Sequence, residues 1–89
     1  MLTRAKLERL RRTPLAEGER NKLAAARSLA GVGVTQTNLS DAIGCSQTFI
    51  SKLETGDYVD VHVEMARKLS EFFGCDIEDL FPSREQVTR

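Results

Sequence analysis

Eighty-nine residues, 40% hydrophobic and 29% charged, fit one small soluble globular domain. A chain of this size buries only about 60% of its extended surface, so its core is modest and self-association would add to it. No apolar run is long enough for a signal peptide or a membrane span, and two cysteines without a repeated spacing make neither a disulfide nor a zinc framework. The thirteen cationic and thirteen acidic side chains cancel, but unevenly. Residues 1–34 hold eight cations and three acids, +5; residues 35–89 hold five and ten, −5. Such a split points to nucleic-acid contact by the basic part, with an ordinary solvated face as the alternative.

Residues 1–12 read as a short helix in which Leu7 and Leu10 share a face and Arg4, Lys6, Arg9, Arg11 and Arg12 cover much of the rest. Two readings stand side by side. The segment is a basic arm that reaches a phosphate or the minor groove, or it packs its leucines on the body or on a second subunit. Thr13-Pro14 reads as a helix restart, a cap followed by Pro at the first helical position. The next helix is expected from about Glu19, or from Pro14, to Ala30, with Leu23, Ala26 and Ala30 as its inner stripe.

Two short helices follow. Thr35 is a good N-cap for a helix over 36–43, which Gly44 ends because glycine tolerates a left-handed backbone. Ser46 caps a second helix over 47–54, ended by Thr55-Gly56. Two capped helices with a three-residue turn containing Gly form a helix-turn-helix unit. Leu39, Ala42 and Ile43 on the first and Ile50 and Leu53 on the second are the expected packing faces. The opposite face of the second carries Gln47, Thr48, Ser51, Lys52 and Thr55, polar but mostly uncharged. Gln47 both donates and accepts, which suits the adenine edge in the major groove. Thr48, Ser51 and Lys52 are the next base-reading candidates; Lys52 reaches a guanine edge or a phosphate. Phe49 is read as packing, with a thymine methyl as the other choice.

Asp57 and Asp60 make the following loop acidic, and Asp60 is a candidate cap for a helix over 61 or 63 to 73. Ala66, Leu69 and Phe73 form its stripe and Gly74 ends it. Asp76 caps a last short helix over 77–80, and Ile77, Leu80 and Phe81 close the core or a dimer surface. Residues 83–89 read as a polar, frayed tail. Cys45 and Cys75 occupy apolar positions and read as free thiols in a reducing cytoplasm. A redox pair is the rival reading, with no basic neighbour in sequence to activate either sulfur. His62 is the only histidine, so no metal and no cofactor is expected, and no catalytic arrangement is recognisable.

Thr35-Gln36, Leu39, Gly44, Ser46-Gln47, Ile50-Ser51 and Glu54-x-Gly56, continued by Ala66, Leu69, Gly74 and Leu80-Phe81, make the chain resemble an XRE-type helix-turn-helix domain. This is the class of the small phage repressors and Cro proteins, and the resemblance spans about residues 22–81. It implies an all-α, five-helix, lambda-repressor-like domain over 14–82, between the basic segment 1–13 and the tail 83–89. An extra N-terminal helix is one reading of the former. The resemblance also implies an ion pair between Arg27 and Glu54, and a Gln36 that contacts a phosphate and braces Gln47. Phosphate ligands are expected at Gln36 and Thr37, at Tyr58, and at Arg4, Lys6, Arg11 and Arg12. The function implied is sequence-specific transcriptional regulation of double-stranded DNA in the cytoplasm. The expected form is a homodimeric repressor on a palindromic operator, controlled by its own concentration and not an enzyme. An antitoxin or restriction-modification controller of the same fold, and a protein-interaction module that no longer reads DNA, are the rivals.

Overall fold

Thr3 begins the first element: its hydroxyl accepts from the Lys6 N–H at 3.2 Å, and α1 runs Arg4–Arg12. In this computed structural model, which describes residues 1–58, 60–82, 87 and 88, the segment is a docked helix and not an arm. Leu10 is fully buried, Leu2 nearly so, and the Leu2 N–H donates to the Phe73 carbonyl at 2.8 Å. Burying a leucine is worth about 1.5–3 kcal/mol, which decides between the two sequence readings of this segment. Thr13 does not restart a helix; it ends one, its N–H and hydroxyl donating to Arg9 O at 3.1 and 2.8 Å.

Residues 14–22 form no helix. A turn in which the Ala16 N–H donates to Glu19 Oε1 at 2.7 Å leads to Asn21. The buried Asn21 side chain accepts from the Leu23 N–H at 3.0 Å and donates to the Leu53 carbonyl at 2.8 Å. An Asn side chain satisfying a backbone N–H two residues on is a turn and start signal, so α2 begins late, at Leu23–Ala30. Lys22 next to it donates its backbone N–H to Leu80 O at 2.7 Å and its ammonium to Leu10 O at 3.0 Å. Asn21 and Lys22 together therefore hold the C-terminal ends of three helices that are distant in sequence.

The helix-turn-helix is α3, Gln36–Ile43, and α4, Gln47–Thr55. Thr35 Oγ1 accepts from Asn38 N–H and Ser46 Oγ from Phe49 N–H, each at 3.1 Å. Gly44, at φ 85°, lets both its own N–H and that of Cys45 return to Ser40 O, at 2.8 and 3.0 Å. Leu39 and Ile43 face inward as expected, but Ala42 is exposed and Ser40 is buried in its place. At about 100° per residue, Ser40 and Ala42 lie on opposite flanks of the Leu39–Ile43 stripe, and only the Ser40 flank is covered. The small Ser40 hydroxyl is satisfied by Thr37 O at 2.9 Å.

After Gly56 the chain reaches Val61 and His62 (β1), then α5, Val63–Phe73. The cap of α5 is His62, not Asp60: its Nδ1 accepts from the Glu64 N–H at 3.2 Å. Ala66, Leu69 and Phe73 are fully buried. The short α6, Ile77–Leu80, is closed by Asp79, whose carboxylate accepts from the Asp76 N–H at 2.9 Å. Leu80 and Phe81 are buried within the chain, which leaves neither free for a dimer surface. Contrary to the frayed tail that composition predicts, Val87 and Thr88 (β2) pair in parallel with Val61 and His62, and Val87 packs against the core. The rest of the tail, 83–86 and 89, lies outside the described residues. Among the described residues, six helices around one core and one two-residue ladder make an all-α architecture with an added N-terminal helix. No helix among the described residues is long and apolar enough to cross a membrane.

Candidate nucleic-acid interface

The outer face of α4 carries Gln47, Thr48, Lys52 and Thr55, all exposed, with Ser51 half-buried beside them. Phe49 is half-buried and packs on Tyr58, ring centroids 5.6 Å apart. Lys52 Nζ stands 5.6 Å from the Tyr58 ring centroid, and the Tyr58 N–H donates to Lys52 O at 3.3 Å. The loop after α4 is thus folded back on the helix end, with Tyr58 partly exposed. Thr37 is exposed at the start of α3.

Behind this face runs one connected set of hydrogen bonds. The Arg27 guanidinium donates to both oxygens of Glu54, Nε to Oε2 at 2.8 Å and Nη2 to Oε1 at 3.0 Å. Its remaining Nη1 reaches Val34 O at 3.3 Å. The Glu54 side chain is 6% exposed and that of Arg27 26%. Pairing with Glu54 raises the Arg27 pKa against the opposing effect of burial. Gln36 Nε2 donates to Glu54 Oε1 at 3.0 Å, and Gln47 Nε2 donates to Gln36 Oε1 at 3.3 Å. Arg27 on α2 thus reaches α4 across the 31–35 link.

The direction of this chain is forced by chemistry. Arginine only donates and an ionised carboxylate only accepts. Gln36 must therefore turn its NH2 toward Glu54 and its oxygen outward. Gln47 must spend one N–H on that oxygen. What remains on Gln47 is a carbonyl oxygen and one N–H, side by side on the exposed face. That is the acceptor–donor pair that matches adenine N6 and N7.

The N-terminal cations are placed differently. Arg11 donates to Asp79 Oδ1 at 2.8 Å and Oδ2 at 3.2 Å, with Asp76 3.7 Å away. That pairing raises the Arg11 pKa and holds the Asp79 carboxyl below the usual carboxylate range. A phosphate would have to displace Asp79 to bind Arg11. Arg4 and Arg12 lie 3.9 and 3.7 Å from Glu8 with highly exposed side chains, and Lys6 is half-buried. A cleft of about 660 Å³ between α5, α6 and β2 is lined by Arg67, Cys75, Phe81 and Val87 among others, none of them from α3 or α4.

Both cysteines are free and half-buried. Burial, and then Asp79 and Asp76, push the Cys75 thiol up to about 12, and burial raises that of Cys45. A protonated thiol is a poor nucleophile, so the geometry favours inert packing over redox sensing.

A helix-turn-helix family model matches residues 29–80, more than half of the chain. The chain belongs to the XRE-type helix-turn-helix family. An uncharacterised HTH-type transcriptional regulator of Methanocaldococcus jannaschii is 39% identical over 62 residues, which cover 70% of this chain and 89% of that one. No solved structure matches. This XRE-type family is one of DNA-binding transcriptional regulators, and its characteristic pair of helices is α3 and α4. Asn21, Lys22 and Arg20 lie before the matched region. Sequence reading gave none of them a role, although an Asn just ahead of an apolar run is a helix-start signal.

Proposed function

We propose that the chain is a sequence-specific transcriptional regulator, acting as a repressor, that binds a palindromic operator as a homodimer. The observation that carries this reading is the hydrogen-bond chain from Arg27 through Glu54 and Gln36 to Gln47. Beyond tying α2 to α4, it orients one exposed amide. In this reading α4 lies in the major groove and α3 crosses the backbone. Gln47 reads an adenine, and Thr48, Ser51 and Lys52 contact neighbouring base edges. Gln36 and Thr37, at the positive end of α3, meet a phosphate. Tyr58 meets a phosphate beyond α4. Arg4, Lys6 and Arg12 add backbone contacts from α1, and Arg11 joins them only on releasing Asp79. The two half-sites lie about one turn, roughly 34 Å, apart. The protein acts in the cytoplasm and catalyses nothing.

The test is selection from a pool of random duplexes at two salt concentrations, for the wild type and Gln47→Ala. Enrichment of a palindrome that relaxes at one base pair per half-site in the variant supports the reading. A bidentate contact carries about 1–3 kcal/mol of discrimination. Failure to enrich any sequence at low salt would overturn it and favour the protein-interaction module, which the formal charge of zero and the acidic 57–60 loop otherwise support.

A further inference from the structure

The C-terminal end of α4 is built against a segment outside the helix-turn-helix. A Cβ placed on Gly56 would lie 3.5 Å from Arg20 Cγ, 3.5 Å from the Gly18 carbonyl oxygen and 3.9 Å from Arg20 Cδ. These are ordinary van der Waals distances, so the Arg20 stem lies against the end of α4, where the φ of 87° is what calls for glycine at 56. The backbone beside Arg20 is pinned by the buried Asn21, which donates to Leu53 O of α4 at 2.8 Å.

The Arg20 charge has no structural employment among the described residues. The ion pairs there belong to Arg4, Arg11, Arg12 and Arg27. Glu19, its neighbour in sequence, is bonded to the Ala16 N–H. Nor is Arg20 needed to cap α4, because the Leu53 carbonyl already accepts from Asn21 and from the Gly56 N–H at 3.3 Å. Arg20 is exposed, and the loop that follows Gly56 contributes Asp57 and Asp60 and no cation.

Helix α4 has nine residues, which at 1.5 Å each gives a rod of about 13–14 Å. The major groove is about 12 Å wide. A helix seated in it brings its two ends to the two sugar-phosphate walls. With α4 in the groove as proposed above, Gln36 and Thr37 would face the wall on the α3 side, and the other wall would pass the end of α4 against which the Arg20 stem lies.

We propose that Arg20 is a DNA-backbone ligand, its guanidinium binding a phosphate of the strand that passes the C-terminal end of α4. This rests on the reading of α4 as the groove-binding helix. Arg20 supplies from the α1–α2 connection the cation that the acidic loop after Gly56 lacks. It positions without reading sequence, because phosphates carry none.

The test is fluorescence anisotropy of the full chain with a random-sequence duplex over a salt series. Wild type is compared with Arg20→Gln, Arg20→Lys and, as a charge-matched control on α5, Arg67→Gln. Arg20→Gln is expected to reduce the slope of log K against log salt by about 0.9 per bound protomer. Arg20→Lys keeps most of the slope, Arg67→Gln keeps all of it, and the bases enriched in selection do not change. A wild-type slope in a folded Arg20→Gln protein overturns the proposal and leaves the groove-binding reading standing. A changed base preference overturns it too, since Arg20 would then read a base. If the wild type binds no duplex at any salt, both fall together.

Discussion

Replacing Glu54 by Gln should cost far more than its position near the surface suggests. Glu54 receives three N–H donors, two from Arg27 and one from Gln36, at 2.8 to 3.0 Å. Gln is nearly isosteric but carries one acceptor oxygen and an NH2 that would face the Arg27 donors. Breaking a fully buried pair costs about 3–5 kcal/mol, and breaking an exposed one about 0–1 kcal/mol. With side-chain exposures of 6% and 26%, the Glu54 end is enclosed and the Arg27 end is partly screened. The expected loss is about 2–3 kcal/mol. At about 4–8 °C per kcal/mol for a domain of this size, that lowers Tm by about 10–20 °C. Urea unfolding followed by circular dichroism measures it directly, with an unchanged m-value as the sign that only stability has moved. Arg27→Met should cost a similar amount by stranding the carboxylate. The Arg27→Met/Glu54→Leu double variant should cost less than the two single changes added. A loss below about 0.5 kcal/mol for Glu54→Gln would refute the reasoning, because the pair would then be behaving as a solvated surface pair.

Two further predictions concern the N-terminal helix. Leu10→Ala removes a fully buried side chain and should destabilise the protein by about 2–5 kcal/mol in the same urea experiment; an arm that served only DNA would show no loss. Asp79 titrates below the ordinary carboxylate range because Arg11 bonds it. Its folded pKa thus lies under its unfolded one, so the pair adds stability above about pH 4 and loses it as pH falls through the folded value. The stability gap between wild type and Asp79→Asn should be widest near neutral pH and close in acid; a gap that does not vary with pH would contradict the assignment.

What was legible in the sequence was local. Thr35, Gly44, Ser46 and Gly56 act on amides and carbonyls within a few residues, so cap and stop chemistry placed α3 and α4 almost to the residue. The parts that were misread depend on partners far along the chain. Whether residues 14–22 could be helical was decided by Asn21, whose second partner, Leu53 O, is 32 residues away. Ala42 and Ser40 are both small residues flanking one stripe, and only the placement of the neighbouring helices decides which is covered. Asp60 and His62 are both able to cap α5, and because the helix starts at Val63, His62 stands at the cap position. The fate of Leu10 and Phe81 was a question of which surface each meets, and periodicity gives a face without naming its partner. Arg20 shows the same limit in the candidate site: its seat is Gly56, and nothing between the two in sequence connects them.

The Arg27–Glu54 pair has a consequence at the exposed face as well as in the core. A primary amide can bond in either of two orientations, and on a bare surface Gln47 would sample both. Here the charge of Glu54 removes the choice at Gln36, and Gln36 removes it at Gln47. With Gln at position 54 an amide stands where the carboxylate stood, every link can reverse, and Gln47 no longer has one fixed donor–acceptor order. The loss in base discrimination should then fall at the base pair that Gln47 reads, while contacts made by Lys52 or the backbone keep theirs. A stabilising residue and a specificity residue are in this way one carboxylate. Its burial gives the pair its strength, and its lack of any donor gives the exposed amide its direction.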